Sequence, residues 1–257
     1  MRKSLSVSII SLFILTLIVS LVMINHHHRD SVEQYSVYAE LIDTVESVSI
    51  DDEVSLVFEE SNTPNAEYTK LYERNTDMVG WIKVDGTKLN YPVVQSAYEP
   101  DFYLTHNFNK DYSNYGCPYV QENCSVRMPS DNIIIYGHNM DDGSMFATLD
   151  NYKSKSFYDE HKIISFDTMT ARNKYEIVAV FTTTVYTDDG FKYYQFTNAE
   201  GEKDFDNYIS ECNELSLYDT GVKAEYGDKL ISLSTCEYSN KNGRIVVVAK
   251  MINYMEY

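Results

Sequence analysis

Positive charge is scarce in this chain. Lys and Arg number 21 against 39 Asp and Glu over 257 residues, a net charge of −18. A phosphate backbone repels such a surface, which argues against nucleic acid as a partner. Cysteine is limited to four residues, at 117, 124, 212 and 236. No C-x-x-C or His-spaced pair accompanies them, so nothing points to zinc. No D-x-[DN]-x-[DN]-G loop occurs either; "DMVGWIKVDG" and "NMDDGSM" both fall short of a calcium loop. The expectation is no metal and no cofactor. Gly and Pro are modest at 10 and 5, and no repeat or low-complexity tract is present. Tyrosine, in contrast, is abundant at 23. This is the composition of an acidic, folded, aromatic-rich protein.

The N-terminus reads "MRKSLSVSIISLFILTLIVSLVMINHHHRD". Residues 5–24 are uncharged and mostly apolar, the length a helix needs to cross a ~30 Å hydrocarbon core. Arg2 and Lys3 precede the run, so the positive-inside rule keeps residues 1–4 cytoplasmic and places everything after Asn25 outside. A cleaved signal peptide competes with this reading. Its apolar region is usually shorter, and no small-x-small site follows Met23. His26, His27 and His28 read as a polar flank at the membrane exit, since no carboxylate or Cys stands at ligand spacing.

Residues 25–67 read as an extracellular helical extension. Tyr35, Tyr38, Leu41 or Ile42, and Val45 recur at helical steps opposite Glu33, Glu40 and Glu46, with Ser31 and Gln34 as a capping box. The polar break "DDEVSLVFEESNTPN" follows, and Thr63-Pro64 is a start signal for a second helix through "AEYTKLYERN". From Val79 the period changes to two. "GWIKVDGTKLNYPVVQ" is a hairpin around Asp85-Gly86. Further strands are predicted at 117–121, 132–136, 162–167, 175–184, 230–235 and 244–252. Ser144 is expected to cap a helix over "MFATLDNY", and "EGEKDFDNYISECNELS" is an amphipathic helix. About eight strands with few helices over residues 68–257 predict a mainly β fold, a closed barrel, since closure removes sticky edges.

Cysteines outside a cell tend to pair, and Cys117 and Cys124 are placed for a local disulfide. Cys212, on the amphipathic helix, reads as a small buried hydrophobe. Cys236 differs. In "LISLSTC", Ile231, Leu233 and Thr235 fall on one face and Ser232, Ser234 and Cys236 on the other, which sets the thiol at the mouth of a sheet. The loop "EYSNKNG" and the strand "RIVVVAKMI" follow. If the two strands pair, Arg244 stands opposite Cys236 with backbones about 5 Å apart. A guanidinium there suits a developing oxyanion; an ordinary strand Cys beside a solvated Arg is the alternative. A nucleophilic thiol also needs a base. His138, in a loop after the apolar run "NIIIYG", is preferred over His106 in a turn and His161 at a strand opening. Asp141 and Asp142 either orient His138 or stand solvated.

"YGHNMDDGSMF", "LSTCEY" and "RIVVVAK", in that order after "GWIKVDGTKLNYPVVQ" and "YLTH", resemble a class B sortase of Gram-positive bacteria over roughly residues 68–251. The family's TLxTC pattern appears here as Ser232-Leu233-Ser234-Thr235-Cys236, with Ser in place of the first Thr. The stretch from Cys117 to Cys124 departs from the pattern. The resemblance implies an eight-stranded sortase barrel and a membrane-anchored cysteine transpeptidase. Cys236 would attack the Thr carbonyl of a C-terminal sorting motif, His138 would move the protons, and Arg244 would hold the oxyanion. A cell-wall peptide amine would then resolve the thioacyl enzyme. Ser234, Thr235, Glu237 and Leu104 match positions lining the substrate groove. The implied partners are a sorting-motif surface protein, a peptidoglycan amine and the membrane. A thiol peptidase using water, or a non-catalytic surface-binding barrel, are the alternatives.

Overall fold

The computed structural model describes residues 2–52, 66–187 and 190–256. The chain divides into two compact units, Met1–Glu40 and Leu41–Tyr257. Helix α1 runs through Arg2–Asp52, and Leu12–Ser47 within it is long and apolar enough, by length and composition, to cross a membrane. This corrects the expected break between an anchor and a separately capped helix. Ser31 lies inside a continuous helix, because residues 2–52 contain neither Gly nor Pro to interrupt it. The start signal at Thr63-Pro64 lies outside the described residues; α2 follows as Ala66–Arg74.

Eight strands make the second unit. They are β1 (Met78–Lys83), β2 (Asn90–Val94), β3 (Tyr119–Val120), β4 (Asn132–Tyr136), β5 (Ile163–Thr168), β6 (Ala171–Thr184), β7 (Leu230–Glu237) and β8 (Gly243–Glu256). They close into a barrel in the order β1-β2-β3-β4-β7-β8-β6-β5, with β1 and β5 pairing antiparallel to seal it. The sheet is mixed: β2–β3 and β4–β7 are parallel. Ile82, Val93, Ile135, Phe166, Val180, Leu233 and Val247 are fully buried, as alternate inward positions of a filled barrel require.

The sequence signals explain the local shapes. Between β1 and β2, Thr87 N–H donates to Val84 O, and Gly86 takes φ +78°, a left-handed conformation that strains any side chain. β3 is shorter than the predicted 117–121. The Cys117 N–H is spent on Tyr103 O, and Pro118 has no donor to give the ladder. The segment predicted as a Ser144-capped helix is instead a 3-10 helix, Phe146–Lys153, entered through Met145 at φ +55°. Ser144 turns its amide and hydroxyl to the Asp142 carboxylate instead. α3 (Lys155–Glu160) and α4 (Glu202–Leu215) complete the fold; α4 buries Phe205, Tyr208, Ile209 and Cys212. α2 is fastened to the barrel by Glu67, which accepts two bonds from Arg172 Nη2, and by Tyr68 donating to Asp167.

All four cysteines are free thiols, so the local 117–124 disulfide that the sequence left open does not form. Cys117 Sγ lies 3.7 Å from Pro92 O, while Cys124 Sγ accepts the Ile134 N–H at 3.4 Å. Cys117 thus meets β2 and Cys124 meets β4. Burial pushes the Cys124 thiol up to about 11.

Candidate active site

β7 is covered on both faces; all its residues are buried except the partly exposed Cys236. The Ser232/Ser234 face was expected to be the polar side of the sheet. It is roofed by aromatic side chains whose hydroxyls satisfy the serines: Tyr193 Oη meets Ser234 Oγ at 2.7 Å and Tyr208 Oη meets Ser232 Oγ at 3.2 Å. Burial pushes the Tyr193 phenol up to about 12, although Ser234 and the Arg244 charge draw it down. It is therefore a neutral hydrogen-bonding group at physiological pH.

Antiparallel pairing of β7 with β8 sets Cys236 directly against Arg244. Arg244 Nη1 donates to Gly243 O at 2.8 Å, and the guanidinium joins no ion pair among the described residues. On the other flank of β7, parallel β4 pairs Tyr136 with Ser234, and the chain leaves that strand through Gly137 into His138. Thr235 Oγ1 donates to Gly137 O at 2.7 Å. His138, Cys236 and Arg244 thus come from three adjacent staves and line one cavity of about 310 Å³.

The imidazole is held by its own contacts. His138 Nε2 lies 2.7 Å from Leu104 O. A carbonyl only accepts, so Nε2 carries a hydrogen. That leaves Nδ1 as the nitrogen free to take or give a proton. Gly116 permits this arrangement. At φ +59°, a Cβ there would stand 2.5 Å from Tyr103 O and 3.2 Å from His138 Cδ2, so a side chain would collide with the backbone beside the ring. His106 and His161 are spent locally, stacked on Phe102 and Phe157 with Nδ1 near the carbonyls of the same residues. Neither lines the cavity. Asp142 does not orient His138 either: its carboxylate takes Tyr115 Oη and Ser144. Those bonds and Lys88 hold it below the usual carboxylate range, against the upward push of burial.

The four other residues matched by resemblance divide. Leu104, Ser234 and Thr235 line the cavity, but both hydroxyls are buried and already bonded within the protein. Glu237 faces away; its carboxylate accepts Lys153 Nζ at 2.8 Å and the Ser239 amide and hydroxyl. Sequence reasoning missed Tyr119, Tyr136, Val185, Tyr186, Tyr193 and Tyr194, which supply much of the cavity wall, and the carboxylates Asp101 and Glu122. The abundance of tyrosine was the available signal, but nothing in the spacing said which ones converge.

This combination of closed mixed barrel and strand-end thiol matches known proteins. The family model described as Sortase domain matches residues 82–252. Sortase B of Staphylococcus aureus (strain NCTC 8325 / PS 47) is 36% identical over 188 residues, 72% of this chain and 75% of that protein. Sortase B of Listeria monocytogenes serovar 1/2a is 34% identical over 211 residues, 79% and 83% of the two chains. A solved Staphylococcus aureus sortase B–substrate complex superposes with a TM-score of 0.75 at 30% identity, covering 86% of this chain and 97% of that one. The chain belongs to the sortase family. Within it, the relatives are those of class B, and the protein is an enzyme of that class.

Proposed function

We propose that the chain is a membrane-anchored cysteine transpeptidase that cleaves a C-terminal cell-wall sorting signal after Thr and joins the protein to a peptidoglycan amine. Cys236 gives its thiol proton to His138 Nδ1, and the thiolate Sγ attacks the Thr carbonyl carbon, forming a C–S bond as the C=O π pair moves to oxygen. The carbonyl oxygen becomes an oxyanion, which the Arg244 guanidinium holds. Collapse breaks the C–N bond, and the departing amine takes a proton from His138. With Nε2 retained by Leu104, that proton leaves from Nδ1. The acceptor amine then gives a proton back to His138 and attacks the thioester, and the thiolate leaves. α1 anchors the enzyme, with Arg2 and Lys3 on the cytoplasmic side and the barrel outside.

One observation supports this reading most: the strand register that sets Cys236 against Arg244, with His138 entering the same cavity from the strand on the other flank. A sorting-motif peptide incubated with the full chain tests it. Wild type is expected to cleave after Thr and to give amide product when an amine such as triglycine is added; Cys236→Ala is expected to do neither. Cleavage retained by Cys236→Ala refutes the nucleophile. Product indifferent to the amine refutes transfer in favour of hydrolysis.

A further inference from the structure

The loop carrying His138 is tied to the strand carrying Cys236 by the side chain of the next residue. Asn139 Nδ2 donates to Cys236 O at 2.9 Å and to Asp150 Oδ2 at 2.7 Å. A backbone carbonyl and a carboxylate only accept, so both amide hydrogens are committed and the side chain has one orientation. The Asn139 backbone takes part as well. Its carbonyl accepts Tyr238 Oη at 3.0 Å, and the residue bridges to Met145 across the loop, next to the Phe146 N–H that closes on His138 O. Asn139 therefore holds the nucleophile's strand on both sides of position 237.

Charged groups brace it from behind. Asp150 Oδ1 lies 2.9 Å from Lys153 Nζ, and Lys153 reaches Glu237 Oε1 at 2.8 Å. The chain Asn139–Asp150–Lys153–Glu237 leaves the His loop and returns to β7 one residue past Cys236. None of these four residues lines the cavity.

We infer that Asn139 is a positioning residue, which fixes the Cys236 backbone against the His138 loop so that the thiol and imidazole meet in the geometry proton exchange requires. The inference rests on the function proposed above. The rate of Cys236 alkylation by iodoacetamide, read by mass spectrometry on the full chain, tests it independently of turnover. The other three thiols are buried, so Cys236 reports alone. Asn139→Asp puts an acceptor where two acceptors already face it, and Asn139→Ala removes both bonds.

Both variants are expected to alkylate about tenfold more slowly at pH 7. Peptide turnover should fall about 10- to 100-fold in kcat with little change in KM, the loss a small misplacement of reacting groups produces. Asp150→Asn leaves an acceptor for Asn139 and is expected to keep the wild-type alkylation rate. The double variant Asn139→Asp/Asp150→Asn restores a donor–acceptor pair between 139 and 150 but not the bond to Cys236 O. It should regain melting temperature without regaining alkylation. Wild-type alkylation in either single Asn139 variant overturns the inference. So does recovery of alkylation together with melting in the double variant, because the Asp150 link alone would then be responsible. Turnover by Cys236→Ala, in contrast, removes the function reading and leaves the alkylation result to be judged by itself.

Discussion

Thr235→Val is the substitution that most directly separates what stands next to the proposed nucleophile from what binds substrate. The side chain is 2% exposed, and its hydroxyl donates to Gly137 O at 2.7 Å. Val keeps the volume and removes the donor. The Gly137 carbonyl then faces a methyl group in a half-buried position, at a cost of about 1–2 kcal/mol. For a domain of this size that corresponds to a fall of roughly 2–8 °C in Tm. Gly137 precedes His138, so the freed carbonyl also loosens the imidazole, and kcat is expected to drop about tenfold. Thr235→Ser keeps the bond and loses a single buried methyl, worth about 0.8 kcal/mol, with kcat near wild type. Thermal melting and peptide turnover of the two variants side by side decide the matter. Equal kcat and equal Tm for Val and Ser would refute the reasoning, since the hydroxyl would then be idle.

Arg244→Lys retains charge but not the planar fork; kcat is expected to fall about 10²–10³-fold with the circular dichroism spectrum unchanged, and a loss under threefold would count against an oxyanion role. Glu237 is pushed up by burial, but its bonds to Lys153 and Ser239 prevail and leave its pKa below the ordinary value of 4.5. A depressed folded pKa stabilises above the unfolded value. The stability gap between wild type and Glu237→Gln in urea titrations should therefore be full at pH 7, shrink as the pH falls below about 4.5, and close below the folded pKa; a gap that widens in acid would contradict the ion pair. Ellman's reagent should find one fast thiol in the native chain and four after denaturation, because Cys117, Cys124 and Cys212 are buried; two or fewer in the denatured chain would reveal a disulfide.

Strands with clean alternation were legible in the sequence: β4 matches its predicted bounds, and β7 and β8 each extend beyond them. The Cys236–Arg244 pairing followed from one hairpin, which is a local matter. What alternation could not supply was long-range. Parallel pairing of β4 with β7 joins residues about a hundred positions apart, and no local pattern encodes it. The Ser232/Ser234 face was read as open because hydroxyls usually mark a wet face; Tyr193 and Tyr208, from the long connection between β6 and β7, close it. The same distance hid the bond from Thr235 to Gly137 O and the bracing of Glu237 by Lys153. The helix break failed for a simpler reason. A capping box is a start signal only where something stops the preceding helix, and nothing does so before Ser31.

The final strand, β8, sits between β6 and β7 and contributes Arg244. Closing the barrel therefore waits for β8. During synthesis the thiol emerges eight residues before its cationic neighbour, in a sheet with an open seam. On the proposed function, such a half-made enzyme has a sulfur without the guanidinium that would hold the oxyanion, so a chain cut short before residue 243 should be inert toward a sorting signal.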